Sequence, residues 1–331
     1  MTLEPPRFTD VLAARGRVRQ HLDPTPLRQS AGLSALTGAD IWVKHENLLP
    51  TGAFKVRGGV NLMSQLSRLE RQRGVIAAST GNHGQSVAYA AKLFGVSAVV
   101  CAPAGANRVK VAGMEELGAE VVLHGADFDE AREHCERLAR VHGYRYVHSG
   151  NEPLLIAGVG TIALEMLEAR PDLEVLIVPV GGGSGAAGAC IVAGTVDPAI
   201  EVIGVQSAQA PAAYRSWRQG ANVESASETV AEGLATRVAF DLPQRILRER
   251  LTDFVLVDDD RLREAVVLML EHTRTLVEPA GAAPLAAALA LRERLRGRRV
   301  GLVCSGANIT PEQLRDVLAA TTRGGPPARA G

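Results

Sequence analysis

The sequence predicts an α/β fold with two domains, in which twisted, parallel-rich sheets carry helices on both faces. Short apolar segments rich in β-branched residues alternate with longer amphipathic segments, as is typical of strands and helices in parallel sheets. Several strand segments are apolar throughout, as expected for strands buried on both faces. With 331 residues, the chain is longer than most single domains, so we expect two.

Seven apolar segments are predicted to be strands: Ile41–His45, Val75–Ala78, Ala98–Ala102, Glu120–Leu123, Val175–Val180, Glu201–Gln206 and Val300–Cys304. Amphipathic periodicity predicts helices between them, most clearly in six segments: Gly84–Phe94, Arg108–Leu117, Asp127–Val141, Ile156–Ala169, Arg261–Arg274 and Leu285–Leu295. A helix N-terminus is expected at Asp258–Asp260, because the helix dipole favours acidic side chains there. Aromatic residues make up only 4% of the chain, so the core has to be built mainly from Ala, Val, Leu and Ile.

The charge balance argues against nucleic acid and membranes as partners. The chain has 36 basic and 36 acidic residues, so no basic surplus attracts it to phosphate backbones or anionic lipid. The segment Val175–Val196 carries no charge, but Pro179 and six glycines would make it a poor membrane helix. We therefore interpret this segment as a buried strand, a loop and a helix.

Cysteine usage and the N-terminus indicate a cytoplasmic location. The cysteines at positions 101, 135, 190 and 304 are widely spaced, and none forms a C-x-x-C pair. A chain of this length does not need disulfides, so we expect reduced thiols in a reducing compartment. The first ten residues lack the apolar core of a signal peptide.

The first candidate site residue is Lys55, which follows the strand Ile41–His45 through a loop containing Pro, Thr and Gly. This loop delivers the lysine to the start of a helix. Phe54 and Val56 flank it, and desolvation by apolar neighbours lowers the pKa of an amine and makes it a usable nucleophile or base. Composition alone favours the alternative of a solvated lysine at a helix start, because most lysines are exposed.

The second candidate site is the polar segment Ser79–Ser86, which lies between the strand Val75–Ala78 and a helix. Its hydroxyls, amides and helix N-terminus together suit an anion such as a carboxylate. An ordinary capped turn is the alternative, although the segment carries more polar side chains than capping needs.

The third candidate site is the glycine-rich segment Val180–Gly188, again between a strand and a helix. Its glycines allow the backbone to curl round a phosphate and to present N–H donors at a positive helix end. Gly183-x-Gly185-x-x-Gly188 also matches the dinucleotide fingerprint, which requires an acidic residue at the end of the next strand. That strand ends in Gln206, so a simple phosphate is favoured over a dinucleotide.

The fourth candidate site is Cys304-Ser305-Gly306-Ala307-Asn308, at the end of an apolar strand. On its own this segment has the composition of an ordinary turn. Together, however, the four segments supply an amine, an anion site, a phosphate cradle and a neutral hydroxyl. Each lies at the end of a strand, where ligands bind in open α/β sheets.

The runs T-G-A-F-K-V-R-G-G, S-T-G-N-H-G-Q, G-G-G-S-G and S-G-A-N, in this order, resemble the serine/threonine dehydratases. These belong to the tryptophan-synthase-β-like group (fold type II) of pyridoxal-phosphate enzymes. The resemblance covers nearly the whole chain and implies a large cofactor-binding domain formed by residues 1–56 and 151–320. A small domain, residues 57–150, would be inserted into it. Residues 321–331 are rich in Gly, Pro and Arg and are predicted to be a disordered tail.

The resemblance also implies a role for each motif residue. Lys55 would form the Schiff base with pyridoxal 5'-phosphate and move the Cα proton. Thr80 would be the second catalytic residue, through its hydroxyl. The cofactor ring would contact Phe54, Asn82 at its phenolic oxygen and Ser305 at its pyridine nitrogen. The remaining residues would bind anions: the cofactor phosphate at Gly181, Gly182, Gly183, Ser184 and Gly185, and the substrate carboxylate at Ser79, Thr80, Gly81 and His83.

The implied reaction is α,β-elimination of water from threonine and/or serine, after which the enamine hydrolyses to a 2-keto acid and ammonia. A serine at the pyridine nitrogen cannot supply the charge of an aspartate, which favours prompt loss of the β-hydroxyl over a long-lived carbanion. Besides its small amino-acid substrate, the chain is expected to bind further copies of itself as a homo-oligomer, a dimer or a tetramer.

Two positions depart from related enzymes. Serine racemases and some dehydratases hold a divalent cation through an acid at the end of the strand after the glycine loop and a second acid six residues on. Those positions are Gln206 and Ala212 here, so no metal site is expected. Racemases also place a serine where this chain has Thr80, which keeps the hydroxyl but adds bulk.

Several alternatives stay open at this point. Within the same fold they are an amino-acid racemase, a hydroxyaspartate or phenylserine dehydratase and a β-replacing synthase. From other classes they are an NAD-binding oxidoreductase and a non-catalytic α/β binding protein.

Overall fold

Ten strands form the sheets of the computed structural model, which describes residues 3–323. They are β1 (Leu27–Gln29), β2 (Asp40–His45), β3 (Val75–Ala78), β4 (Ala98–Ala102), β5 (Glu120–Leu123), β6 (Arg145–Tyr146), β7 (Val175–Pro179), β8 (Glu201–Ser207), β9 (Asp253–Val257) and β10 (Arg299–Cys304). Six of them form one sheet in the order β1-β2-β10-β7-β8-β9, and four form a second in the order β5-β4-β3-β6. Every pairing is parallel except that of β1 with β2.

The helices fall between these strands. They are α1 (Phe8–Val18), α2 (Ala31–Thr37), α3 (Lys55–Met63), α4 (Arg68–Arg73), α5 (Asn82–Phe94), α6 (Arg108–Glu116), α7 (Phe128–His142), α8 (Pro153–Ala169), α9 (Ser184–Val196), α10 (Ala212–Gln219), α11 (Asp241–Arg250), α12 (Asp259–Thr273), α13 (Pro279–Ala290), α14 (Arg292–Leu295) and α15 (Pro311–Arg323). Among the residues that the structure describes, no helix combines the length and the apolar character that crossing a membrane requires.

Helices cover both faces of the six-stranded sheet, and β7 shows how. Successive side chains of a strand point to opposite faces. Leu176 and Val178 therefore pack with α8 and α9, whereas Val175 and Ile177 pack with α12 and α13. All four side chains are buried. The α/β fold with helices on both faces of parallel-rich sheets, predicted from the apolar strand segments, is confirmed.

The sheet directions decide where the site lies. The strands β2, β7, β8 and β10 are parallel neighbours, so their carboxyl ends lie at one edge of the large sheet. The loop that follows β2 leads to Lys55 at the start of α3, and the loops that follow β7 and β10 contain the glycine segment and Ser305. The polar segment from Ser79 onward occupies the corresponding end of β3 in the small sheet.

The structure differs from the sequence-based prediction in its short and edge elements. The two terminal strands of the large sheet, β1 and β9, and the two-residue β6 were not predicted. The helix predicted over Leu285–Leu295 begins earlier, at Pro279, and breaks near Leu291 into α13 and α14. Proline at the first position of a helix lacks only an N–H that would be unpaired there, which explains the early start.

The predicted disordered tail lies mostly outside the described residues, at positions 324–331. Its first three residues are assigned to α15, which continues to Arg323, and the disorder of the tail stays a prediction.

The domain boundaries stay a prediction, which the strand distribution supports. The whole four-stranded sheet lies within residues 75–146, inside the segment 57–150. The six-stranded sheet is formed by residues on both sides of that segment. The boundary predicted after residue 56 falls within α3, so this helix would belong to both parts.

Candidate active site

The four candidate segments meet in the folded chain through direct hydrogen bonds. The Lys55 Nζ atom donates to the Ser184 hydroxyl at 3.1 Å, which joins the first and third segments. The backbone N–H of Phe54 donates to the carbonyl oxygen of Ser305 at 2.9 Å. The amide of Asn308 donates to the Asn82 side-chain oxygen at 2.7 Å, which joins the second segment to the fourth.

Lys55 begins α3, and its side chain is half-buried. Besides Ser184, its Nζ atom donates to the carbonyl oxygen of Ser149 at 3.2 Å and lies 5.2 Å from the centre of the Phe54 ring. Burial lowers the pKa of Lys55 from 10.5 to about 8. A larger fraction of this amine is therefore uncharged near neutral pH than in an ordinary lysine, as a nucleophile or base requires.

Two histidines close to Lys55 are held neutral. Burial, followed by the positive charge of Lys55, lowers the pKa of His83 to about 3. Burial, Arg132 and Lys55 lower the pKa of His148 to about 4. Burial is the main cause in both cases, and it keeps both rings uncharged near neutral pH.

Hydrogen bonds fix which nitrogen of each histidine carries the proton. The Nε2 atom of His83 lies 2.9 Å from the carbonyl oxygen of Val147, so it is the donor and Nδ1 is left as an acceptor. In His148 the Nδ1 atom accepts the backbone N–H groups of Gly150 and Asn151, at 3.1 and 2.9 Å. The proton of His148 is therefore on Nε2, which presents a donor.

The segment from Ser79 to His83 offers backbone N–H groups to an anion. The Ser79 hydroxyl accepts the backbone N–H groups of Gly81 and Gly84, at 3.1 and 2.9 Å, and so shapes the loop. Within residues 3–323, the backbone N–H groups of Thr80, Asn82 and His83 have no protein acceptor. They lie at the N-terminus of α5, where the helix dipole favours negative charge.

The glycine segment forms a second backbone cradle, at the N-terminus of α9. The backbone N–H groups of residues 181–184 have no acceptor in the part of the chain that the structure describes. Glycine is required for close approach at two positions. A Cβ atom at Gly181 would lie 2.2 Å from the carbonyl oxygen of Gly233, and one at Gly182 would lie 2.4 Å from the Phe240 ring. Gly183 has a φ of +87°, which also favours glycine.

Ser305 and Phe54 line a common apolar cavity beside this cradle. The cavity walls include Val178, Pro179 and Gly185, and Ser305 is buried. A Cβ atom at Gly185 would lie 3.3 Å from the Phe54 ring, so the ring packs closely against the start of α9. The cavity thus has an aromatic side, an apolar floor and one hydroxyl.

These features fit pyridoxal 5'-phosphate. An amine with a lowered pKa, Lys55, lies within hydrogen-bonding distance of Ser184 in a phosphate cradle. An aromatic ring and a neutral hydroxyl line the adjoining cavity. The N–H groups at the start of α5 supply the separate anion site that an amino-acid carboxylate needs.

The two positions considered for a metal have other roles. Gln206 is fully buried, donates to the carbonyl oxygen of Leu234 at 3.3 Å and accepts the backbone N–H of Tyr214 at 3.0 Å. Ala212 begins α10. Within residues 3–323, no group of three or more His, Cys, Asp or Glu side chains has a metal-binding arrangement. Independence from metals stays a prediction.

Sequence reasoning missed three residues of this site: His148, Glu278 and Asn308, the last quoted in a motif without a role. Glu278 is buried and accepts from the Asn82 amide at 2.8 Å. It is the N-terminal cap residue of the apolar helix α13. An acid directly before a proline and a long uncharged run was the signal in the sequence that could have revealed it.

The family model for "Pyridoxal-phosphate dependent enzyme" matches residues 18–306. The chain is 39% identical over 310 residues to the L-threonine ammonia-lyase of Thermotoga maritima, covering 93% of this chain and 77% of that protein. It is 34% identical to the L-threo-3-hydroxyaspartate ammonia-lyase of Saccharomyces cerevisiae, covering 92% of this chain and 94% of that protein.

Solved structures show the same fold. The processed form of threonine deaminase isoform 2 from Solanum lycopersicum has a TM-score of 0.91 at 30% identity, covering 97% of this chain and 96% of that one. Serine racemase from Dictyostelium discoideum has a TM-score of 0.87 at 32% identity, covering 92% of this chain and 99% of that one. The family match and the ammonia-lyase relatives favour a lyase over an NAD-binding oxidoreductase and over a non-catalytic binding protein. The chain belongs to the pyridoxal-phosphate-dependent enzymes, among the dehydratases and ammonia-lyases of that family.

Proposed function

We propose that this lyase removes water and ammonia from L-threonine and/or L-serine to give a 2-keto acid. The proposal combines the family's elimination chemistry with the charges around the site. The observation that carries the choice of substrate is that the positive side chains near Lys55 and the α5 N-terminus already have acidic partners.

Two cations illustrate this. Lys110 lies near Gly81, since a Cβ atom there would be 3.9 Å from its Nζ atom, but Lys110 forms an ion pair with Glu232. Arg132, which influences His148, pairs with Asp129 at 3.3 Å and with Glu136 at 3.6 Å. A substrate with a second carboxylate would have to displace one of these partners, whereas a hydroxymethyl or hydroxyethyl side chain would not.

Lys55 is the residue proposed to move the proton. When bound, pyridoxal 5'-phosphate supplies an electron sink that makes the Cα proton of the amino acid acidic. The amine of Lys55, whose pKa burial lowers to about 8, can accept the Cα proton and later release it. The neutral His83 and His148 add no competing charge at this position.

The backbone N–H groups at the start of α5 are proposed to hold the substrate carboxylate. His83 would take part through its backbone N–H, because its ring proton is used by the carbonyl oxygen of Val147. Ser79 and Gly81 would act by shaping the loop, since the Ser79 hydroxyl accepts from Gly81. The Thr80 hydroxyl is half-buried at the same loop and would face the substrate.

The residues of the third and fourth segments are proposed to hold the cofactor. The N–H groups of Gly181, Gly182, Gly183, Ser184 and Gly185 would bind the phosphate at the N-terminus of α9. Ser305 would contribute its hydroxyl at the pyridine nitrogen, Phe54 would pack on the ring, and Asn82 would donate to the phenolic oxygen. Assembly as a dimer or tetramer and a cytoplasmic location stay predictions.

Racemisation is the second candidate, and Thr80 is the observation that favours it. Within residues 3–323, its hydroxyl has no hydrogen-bond partner, so it could deliver a proton from a position separate from Lys55. A hydroxyaspartate or phenylserine dehydratase differs only in the side chain that the site would accept.

A panel of hydroxy amino acids tests the proposal. L-threonine, L-serine, L-threo-3-hydroxyaspartate and phenylserine are incubated with the cofactor-loaded enzyme, and release of 2-keto acid is measured. Chiral analysis of the remaining serine runs in parallel. We expect the highest kcat/KM for threonine or serine, with elimination faster than racemisation. Preference for hydroxyaspartate, or D-serine forming faster than keto acid, would contradict the proposed substrate or reaction.

A further inference from the structure

Two side chains, from segments next to the six-stranded sheet, form hydrogen bonds with the side-chain amide of Asn82. Its Nδ2 atom donates to Glu278 Oε1 at 2.8 Å, and its Oδ1 atom accepts from Asn308 Nδ2 at 2.7 Å. Asn82 begins α5, Glu278 precedes α13, and Asn308 follows β10. Three elements distant in sequence therefore meet at one amide group.

These two contacts decide which way the amide of Asn82 faces. The Asn308 Nδ2 atom has only hydrogens to offer, so it selects the oxygen of Asn82. A carboxylate has only lone pairs to offer, so Glu278 selects the nitrogen. With the oxygen and one N–H occupied, the group that Asn82 can still direct elsewhere is its second N–H, a donor.

The surroundings of Glu278 indicate a site built for this carboxylate. The side chain is 7% exposed, and burial raises its pKa. A Cβ atom at Gly306 would lie 2.4 Å from its Oε1 atom, so a glycine is needed directly after Ser305 to make room. Its own backbone N–H donates to the carbonyl oxygen of Gly306 at 3.0 Å. A buried carboxylate is unfavourable for stability on its own, and among the described residues no cation forms an ion pair with it.

Asn308 extends the same arrangement to the loop of Lys55. Its Nδ2 atom also donates to the carbonyl oxygen of Thr51 at 2.9 Å and lies 3.2 Å from Gln85 Oε1. The neighbouring Ala307 donates its backbone N–H to the carbonyl oxygen of Gly52 at 2.8 Å. The Asn308 side chain thus connects the segment before Lys55 to the start of α5.

We propose that Glu278 and Asn308 are positioning residues that orient the amide of Asn82, so that it presents a hydrogen-bond donor to the phenolic oxygen of the cofactor. The inference rests on the proposed placement of Asn82 in the site. A donor at that oxygen stabilises its negative charge and lowers the proton affinity of the bound cofactor. Loss of the orientation therefore raises the pH at which the bound cofactor loses its proton.

The test uses the cofactor-loaded protein and Glu278→Gln, which keeps the shape but can donate as well as accept. The pH midpoint of the visible absorption band of the bound cofactor is expected to rise by about one unit, the size of one lost hydrogen bond. The cofactor dissociation constant, from titration of the apoprotein, is expected to rise about tenfold. Glu293→Gln is the control, because it removes an exposed carboxylate that pairs with Arg296 at the end of α14, and it should change neither quantity.

Two further measurements separate positioning from a general structural role. The melting temperature of the apoprotein should not fall in Glu278→Gln, because a buried charge is removed. In an Asn82→Ala background, Glu278→Gln should cause no additional shift of the midpoint, because it acts through Asn82. Asn308→Ala should raise the midpoint in the same direction as Glu278→Gln.

The outcomes distinguish this inference from the site on which it rests. If Asn82→Ala raises the midpoint while Glu278→Gln and Asn308→Ala leave it unchanged, the positioning role is wrong and the site stands. If Asn82→Ala itself leaves the midpoint unchanged, the placement of Asn82 at the phenolic oxygen is wrong, and the inference falls with it.

Discussion

Lys55→Ala is expected to lower turnover of threonine and serine by at least about 10³-fold. The variant removes the amine whose pKa burial lowers to about 8, and with it the group proposed to accept the Cα proton. It also removes the hydrogen bonds of the Lys55 amine to the Ser184 hydroxyl and the Ser149 carbonyl oxygen. The measurement is keto-acid release under saturating cofactor and substrate.

The matched control for this prediction is Lys92→Ala. Lys92 lies in the last turn of α5, exposed, with only a long contact of 3.4 Å to the carbonyl oxygen of Glu116. This variant should keep turnover within about twofold of the wild type, since surface substitutions have small effects. Retention of more than a tenth of wild-type turnover by Lys55→Ala would show that another group moves the proton.

Arg57→Met is expected to destabilise the protein by about 3–5 kcal/mol, because it leaves buried carboxylates without their main partner. The Arg57 guanidinium is fully buried. It donates to Glu46 at 2.6 and 2.8 Å and to Glu165 at 2.7 and 2.8 Å. Lys44, which donates to Glu165 at 2.6 Å, completes a buried group of two positive and two negative side chains.

The pKa shifts of Arg57 and Glu165 indicate that the opposite charges in this group stabilise one another. Although burial alone would lower the pKa of Arg57, Glu46 and Glu165 raise it above its ordinary value. Burial would raise the pKa of Glu165, but Arg57 and Lys44 hold it below its usual range. The group fixes α3 two residues after Lys55, so its loss should also reduce cofactor binding.

Chemical denaturation of the apoprotein measures this effect. The double variant Arg57→Met/Glu46→Gln removes one charge of each sign and should regain part of the lost stability, because Lys44 and Glu165 remain paired. Arg261→Ala, which breaks an exposed pair with Glu264, should cost less than about 1 kcal/mol. A loss below about 1 kcal/mol in Arg57→Met would mean that the buried group contributes no more than a surface pair.

Much of the fold and the site could be predicted from local patterns. The strands β3 and β4 were placed at their observed limits, because short apolar runs between turn residues are buried strands in a parallel sheet. The limits of the edge strand β5 were also predicted, although its end residues are exposed. Each candidate segment followed such a strand, and parallel strands end at one edge of a sheet. That is why Lys55, Ser184 and Ser305 could be placed in one site before any contact was known.

The remaining features depend on contacts between distant parts of the chain. Asn82 and Glu278 are 196 positions apart, and Arg57 and Glu165 are 108 positions apart. No local pattern states which buried carboxylate will meet which amide or guanidinium. The edge strand β1 was missed because its three residues, Leu27-Arg28-Gln29, carry almost no apolar pattern. The edge strand β9 was missed although four of its five residues are apolar.

The central claim is that Lys55 carries the cofactor, and borohydride reduction of the cofactor-loaded protein tests it most directly. The chain has only four lysines, at positions 44, 55, 92 and 110, so peptide mass mapping after digestion gives an unambiguous answer. We expect a pyridoxyl adduct on the peptide that contains Lys55 and none on the other three. An adduct on Lys44, Lys92 or Lys110 with Lys55 unmodified would contradict the account.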